Sequence, residues 1–89
     1  MSKTAIMYFT ATWCGACEVM LPVAEAVAVK HKKELEVVDI TTDDGQQSAT
    51  LYGVTAIPQL ICVNKDLPKD EGVLGRLIGV GKVSDVKFT

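Results

Sequence analysis

Two cysteines, Cys14 and Cys17, stand three positions apart at the start of a segment with helical periodicity. Side chains at positions i and i+3 lie on one face of a helix, with Cβ atoms about 5–6 Å apart, so a disulfide can close between them after a small adjustment. Cys14 falls at the helix N-terminus, where unpaired backbone N–H groups and the helix dipole favour the attacking thiolate. The spacing predicts a redox-active pair in which Cys14 is the nucleophile and Cys17, one turn inside, resolves the mixed disulfide.

Two other interpretations of the cysteine pair stay open. A zinc site needs two further ligands, and only Cys62 and His31 remain in the chain, so no metal site is predicted. The cysteines could also be inert core residues, although a strand, a turn with Trp13 and a helix surround them, which is the context of redox motifs. Cys62 lies in an apolar run and is assigned to packing, and His31 is assigned to the solvated surface.

The elements that must position this pair follow from hydrophobic periodicity and from turn residues. They are a buried strand at 4–9, an amphipathic helix at 14–32, strands at 35–40, 59–63 and 75–78, and short helices at 46–52 and from 84. Pro22 lies inside the long helix and should bend it. Gly53 suits a left-handed residue after the second helix, and Pro58 opens the third strand. The order strand, long helix, strand predicts that the first two strands are parallel.

Length and composition restrict the class of protein. The chain has 89 residues, of which 48% are hydrophobic and 22% charged, with a net charge of −2. We therefore expect one compact domain, residues 1–89, that binds neither nucleic acid nor an anionic membrane. No apolar run is long enough for a signal sequence or a membrane span, and three cysteines are too few for a secreted disulfide scaffold. The expected location is the cytoplasm (the host cytoplasm, if a phage encodes the chain), and the expected state is a monomer.

Three coupled motifs resemble those of the thioredoxin family. WCGAC at 13–17 is similar to the family's W-C-G-P-C, and Pro22 stands where thioredoxins carry a helix-kinking proline. YGVTAIPQ at 52–59 is similar to the family's Y-G-V-x-x-I-P-T. The 44 positions between Cys14 and Pro58 also match the family's spacing. This resemblance covers nearly the whole chain.

The resemblance implies a fold and a set of site residues. The fold is an α/β thioredoxin fold with a four-stranded mixed sheet in the order 2-1-3-4, helices on both faces and a truncated final helix. The Ile57–Pro58 peptide bond is expected to be cis, with Pro58 against the disulfide and the Ile57 backbone pairing with an extended substrate segment. Trp13, Ile57 and Gly79 would form a shallow apolar groove around Cys14. Gly15 and Ala16 would form the active-site loop, and no cofactor is implied beyond the cysteine pair itself.

Several positions depart from the family pattern. The chain begins directly at the central strand and has the size of a glutaredoxin. Tyr8 stands where thioredoxins bury an aspartate behind the second cysteine, so Asp39 is the best substitute proton acceptor for Cys17, unless it is a solvated acid at a strand end. Ala16 replaces a proline and Glu18 a lysine. Ala16, unlike a proline, has a backbone N–H, which could donate a hydrogen bond to the sulfur of Cys14. We therefore predict a more oxidising redox potential than that of thioredoxin.

Three functions follow from these observations. The first is reduction of protein disulfides, such as that of ribonucleotide reductase, with a thioredoxin reductase-like protein as electron donor. The second is a glutathione-dependent glutaredoxin, favoured by the chain length and by the stretch 79–85, although the motif is not the glutaredoxin C-P-Y-C. The third is a thioredoxin-fold binding subunit whose cysteines are dispensable.

Overall fold

Four strands form one mixed sheet at the centre of the molecule. In the computed structural model, which describes residues 4–67 and 69–86, the strands are β1 (Thr4–Thr10), β2 (Leu35–Asp39), β3 (Gln59–Asn64) and β4 (Val73–Ile78). β1 pairs with β2 in parallel and with β3 antiparallel, and β3 pairs antiparallel with β4. The order across the sheet is β2-β1-β3-β4, which confirms the predicted topology.

β1 is the central strand because its side chains are apolar on both faces. Residues 5–9 are all buried, as expected for a strand covered on both sides. Ile6 and Tyr8 point into one core cluster, whereas Met7 and Phe9 point into another. This strand therefore supports two layers of packing and ends directly before the cysteine motif.

The long helix α1 (Gly15–His31) packs on the face of Ile6 and Tyr8. Its buried residues recur at three- and four-residue spacing and are Cys17, Met20, Ala24, Val27 and Ala28. The helix continues through Pro22 rather than stopping there. It ends at Lys32, whose φ of 54° is left-handed and whose N–H closes the last turn. The predicted helix agrees with α1 to within one residue at each end.

The second helix α2 (Asp43–Leu51) packs on the opposite face of the sheet and begins three residues before its predicted start. The start predicted at 46 was wrong. Thr42 caps the helix, since its Oγ1 accepts a hydrogen bond from the Gly45 N–H at 3.0 Å. A Cβ on Gly45 would lie 1.8 Å from the Asp39 carbonyl oxygen, so only glycine allows this approach to β2. Gly53 has a φ of +68°, which confirms the left-handed residue predicted after the helix.

The C-terminal part of the described chain differs from the prediction in two respects. β4 begins at Val73 rather than at 75, after a short 3₁₀ helix at Lys69–Gly72. The short helix predicted from 84 is a 3₁₀ helix, Val83–Asp85, in the described part of the chain, and the Asp85 carboxylate accepts a hydrogen bond from the Lys82 N–H at 2.9 Å. No helix among the described residues has the length and apolar character needed to cross a bilayer.

Candidate active site

Cys14 and Cys17 form a disulfide where β1 passes into α1. Their Cα atoms are 5.2 Å apart. The Cys14 N–H donates to the Ala11 carbonyl at 3.2 Å, which turns the chain from the strand into the helix. Cys14 is 9% exposed and Cys17 only 2%. Of the two sulfurs, that of Cys14 is therefore the one a substrate can approach, as the helix position predicts.

Cys14 is also the N-cap residue of α1. Its Sγ accepts a hydrogen bond from the Cys17 N–H at 3.1 Å. A backbone donor at a helix N-terminus stabilises a negative charge on the sulfur, because the unpaired N–H groups of the first turn point at it. This amide belongs to Cys17, and among the described residues no hydrogen bond joins the Ala16 N–H to the Cys14 sulfur of the oxidised pair. The more oxidising potential expected from the Ala16 N–H stays a prediction.

Tyr8 occupies the space behind the second cysteine. Its hydroxyl donates to the Cys17 carbonyl oxygen at 2.5 Å, and the side chain is almost completely buried. Burial raises the pKa of Tyr8, while a hydrogen bond with Thr10 lowers it by less. Tyr8 is thus a neutral donor at neutral pH that holds the first turn of α1. The missing aspartate is visible in the sequence, but this bond is not, because it depends on the path of α1 over β1.

Asp39 lies at the end of β2, paired in register with Thr10. Its Oδ1 accepts hydrogen bonds from the Thr41 hydroxyl at 2.6 Å and from the Thr41 N–H at 2.8 Å. These two bonds lower the pKa of the Asp39 carboxyl. Within the described residues, no hydrogen bond joins this carboxylate to either cysteine. A role for Asp39 as proton acceptor of Cys17 thus stays a hypothesis.

The segment before β3 reaches the same end of the sheet. The Ile57–Pro58 peptide bond is cis, and Pro58 is buried. The Gly79 N–H donates to the Pro58 carbonyl at 2.8 Å, and Gly79 has a left-handed φ of +84°. Ile57 packs against the core cluster that contains Cys14. The structure thereby brings Pro58 and Gly79 together and places Ile57 and Cys14 in one cluster.

Exposed apolar side chains stand beside these residues in the chain. Trp13, which precedes Cys14, is 71% exposed, so it is not a core residue. Ile78 and Val80 flank Gly79 and are exposed as well. Large exposed apolar side chains at one site favour contact with another protein. Trp13 and Gly79 were predicted as site residues, whereas Ile78 and Val80 were not. Their apolar type on either side of Gly79 was a usable signal.

Gly15 and Ala16 lie between the two cysteines and are both exposed. No atom lies within 4 Å of the position that a Cβ on Gly15 would take. Both residues lie in the first turn of α1, so the expected active-site loop is helical. This turn is open to a bound substrate, and packing around it does not require glycine.

The other two candidates from the sequence lie away from the pair. Cys62 is a buried free thiol on β3, and burial raises its pKa more than nearby Lys33 lowers it, in keeping with a packing role. His31 is half-buried, with Nε2 out of contact with solvent, so its assignment to the solvated surface was wrong. Residues 4–67 and 69–86 contain no group of three or more His, Cys, Asp or Glu arranged to hold a metal ion.

The sequence is similar to those of thioredoxins and of a thioredoxin-like protein. A family model described as Thioredoxin matches residues 1–76. The thioredoxin-like protein slr0233 of Synechocystis sp. is 36% identical over 73 residues, which cover 80% of this chain and 70% of that protein. A thioredoxin of Porphyra purpurea is 42% identical over 53 residues, covering 60% of this chain and 50% of that protein. The chain therefore spans between half and about two thirds of the length of such relatives.

Comparison of the structure gives the same result. Thioredoxin O2 of Arabidopsis thaliana, in its oxidised state, superposes with a TM-score of 0.72 at 27% identity, over 94% of this chain and 69% of that one. A Fasciola hepatica thioredoxin superposes with a TM-score of 0.69 at 28% identity, over 92% of this chain and 73% of that one. The cysteine pair at disulfide distance, on this fold, is consistent with thiol–disulfide oxidoreductase activity.

Proposed function

The chain belongs to the thioredoxin family, and we propose that it reduces disulfide bonds in other proteins through Cys14 and Cys17. Thioredoxins are protein-disulfide oxidoreductases that need no bound cofactor, and this chain carries the cysteine pair on which that activity depends. The observation that supports the proposal most strongly is the position of the pair. Cys14 caps α1 with its sulfur hydrogen-bonded to the Cys17 N–H, and Cys17 is buried one turn inside.

In the first step the thiolate of Cys14 attacks one sulfur of a substrate disulfide. An S–S bond forms between Cys14 and the substrate, the substrate's own S–S bond breaks, and its second sulfur leaves as a thiolate that takes up a proton. The backbone N–H of Cys17 stabilises the charged form of the nucleophile before the attack. The partial exposure of Cys14 gives the substrate access to that sulfur.

In the second step Cys17 loses its proton and attacks the Sγ of Cys14. The Cys14–Cys17 disulfide forms, the mixed disulfide breaks, and the substrate leaves with its second thiol. Two electrons have then passed from the pair to the substrate. The oxidised pair in the structure corresponds to the protein after this step.

The proposed substrate site is the exposed apolar surface beside the pair. Trp13, Ile57 and Gly79 would line it, and the backbone of Ile57 would pair with an extended segment of the substrate, next to Pro58. The exposure of Trp13 and the hydrogen bond between Gly79 and Pro58 support this arrangement. Such a shallow site suits a flexible disulfide-bearing loop of another protein better than a small buried ligand.

We further propose that a thioredoxin reductase-like protein supplies the electrons and that ribonucleotide reductase is among the substrates. The proposed state is a monomer in the cytoplasm. Family membership supports a reductase donor and disulfide-bearing targets in general. The low cysteine content, with one buried thiol outside the pair, supports a reducing compartment.

A coupled assay tests the function and separates the two classes of donor. The protein is mixed with insulin as disulfide substrate and supplied either with NADPH and thioredoxin reductase or with NADPH, glutathione and glutathione reductase. We expect insulin reduction with the first donor only, and its loss in Cys14→Ser. Turnover with glutathione alone would point to a glutaredoxin. No reduction with either donor would leave the fold as a binding module and contradict the proposal.

A further inference from the structure

Gln59, the residue after Pro58, is 2% exposed and is the only buried polar side chain besides Tyr8 in the part of the chain that the structure describes. Its Nε2 donates to the Ala56 carbonyl at 3.1 Å, and its Oε1 accepts from Arg76 Nη1 at 2.7 Å. Burying an amide is unfavourable unless its donor and its acceptor are both paired. Both ends of the Gln59 side chain are paired, so its orientation is fixed.

Arg76, on β4, extends this link to α2. Its Nη2 donates a hydrogen bond to the carbonyl of Tyr52, the residue directly after α2, while its Nη1 donates one to Gln59. A Cβ on Gly53 would lie 3.4 Å from Nη2, so the guanidinium passes close beside the backbone there. Because a guanidinium is a rigid planar fork, one side chain fixes two partners at a set separation. Arg76 therefore ties the end of α2 to the start of β3.

The segment between these two points has few hydrogen bonds of its own, although Ile57 packs against the core. The Val54 N–H donates to the Ala49 carbonyl at 2.7 Å, which is the last backbone bond of the α2 end. Across the described ranges, residues 55–57 donate no backbone hydrogen bond. The bond from Gln59 to the Ala56 carbonyl is thus the hydrogen bond that holds this segment against the sheet.

We propose that Arg76 and Gln59 are positioning residues that hold the substrate-pairing segment 55–57 in place. The inference rests on the proposed function, in which the Ile57 backbone pairs with the substrate. A mobile segment would have to be ordered each time a substrate binds, which weakens binding. The reactivity of Cys14 is independent of this link, because its sulfur is stabilised by the Cys17 N–H. Loss of the link raises the KM for a protein disulfide and leaves the nucleophile unchanged.

The test uses Arg76→Lys, which keeps the charge but loses the fork, and Gln59→Met, which keeps the length but loses both bonds. Lys65→Gln is the matched control, because Lys65 pairs with Glu36 beyond the opposite end of β3. For both test variants we expect the KM for insulin to rise about fivefold with kcat within about twofold of wild type. The backbone NMR order parameters at 55–57 should fall from about 0.85 to below about 0.6, with those in β1 unaltered. The rate of Cys14 carboxymethylation should not change.

Wild-type order parameters at 55–57 in a folded test variant would overturn the proposal, as would lower order parameters with an unaltered KM. A parallel fall in kcat and in the carboxymethylation rate would also overturn it, since that result would indicate general damage to the site. If the wild type does not reduce insulin, the proposed function itself fails. The order parameters are measured without a substrate and still decide whether Arg76 and Gln59 hold the segment.

Discussion

The hydroxyl of Tyr8 donates a hydrogen bond to the backbone carbonyl of Cys17, 2.5 Å away, in the interior of the protein. The side chain behind the resolving cysteine is therefore a neutral donor. In the described part of the chain, no carboxylate hydrogen-bonds to Cys17. Tyr8 orders the first turn of α1, but it does not accept the proton that Cys17 loses, because burial raises its pKa and a neutral phenol is a very weak base.

Removing only this hydroxyl should cost stability. We expect Tyr8→Phe to lower the free energy of unfolding of the oxidised protein by about 1 kcal/mol, the usual net value of a buried hydrogen bond. Urea denaturation followed by far-UV circular dichroism gives this number. Tyr52→Phe is the control, since the described contact of Tyr52 with Arg76 uses its carbonyl and not its hydroxyl. An unaltered stability in Tyr8→Phe would mean that the bond is not formed in solution.

The contribution of Tyr8 should also depend on pH in the alkaline range. Burial raises the pKa of Tyr8 in the folded protein above its ordinary value, which is about 10. Below that pH the contribution is fully present, and it is lost as the pH rises through the raised pKa of the folded state. The difference in unfolding free energy between wild type and Tyr8→Phe should be constant from pH 7 to 9 and shrink above about pH 10. A constant difference up to pH 11 would contradict this.

Asp39→Asn distinguishes a proton acceptor from a structural acid. The two hydrogen bonds from Thr41 lower the pKa of Asp39 and make its carboxylate a weaker base. We therefore expect the pH–rate profile of insulin reduction to keep its wild-type shape. Stability should fall at neutral pH, where the carboxylate is ionised, and approach that of the wild type below the lowered pKa. Glu25→Gln, which removes an exposed carboxyl group in α1, is the control. A shifted pH–rate profile would restore the catalytic role that the sequence suggested.

Alkylation of the reduced protein should identify the reactive thiol. Cys14 is the most exposed of the three cysteines and lies at a helix N-terminus, whereas burial shields Cys17 and raises the pKa of Cys62. With a limiting amount of iodoacetamide near pH 7, we expect peptide mapping to find the label on Cys14 first. Cys62→Ala should label at the wild-type rate. Early labelling of Cys17 or Cys62 would reverse the assignment of the nucleophile.

The fold was predictable because its main signals are local. The apolar run of β1, the periodicity of α1 and the glycine at 53 each determine an element from nearby residues. α2 was predicted too short because one side chain, Thr42, decides whether 41–45 is a turn or the start of a helix. The hydrogen bond of Thr42 to the Gly45 N–H decides for the helix.

The residues of the site were predictable only where they belong to a sequence motif. Cys14 and Cys17 are neighbours in sequence, so their chemistry follows from their spacing. Gln59 and Arg76 lie 17 positions apart and meet only because of the register of β3 with β4. The bond from Tyr8 to Cys17 likewise depends on how α1 crosses β1. Such contacts between distant segments leave no periodic signal in the chain.

The most direct test of the two-cysteine mechanism uses the Cys17→Ser variant. Its Cys14 can attack a substrate disulfide, but nothing can resolve the product, so a mixed disulfide should accumulate. The measurement is intact-protein and peptide mass spectrometry after reduced Cys17→Ser is mixed with insulin. We expect an adduct that is joined to insulin through Cys14 and that dithiothreitol releases. Normal turnover of insulin by Cys17→Ser, or an adduct through Cys62 instead, would contradict the two-cysteine mechanism.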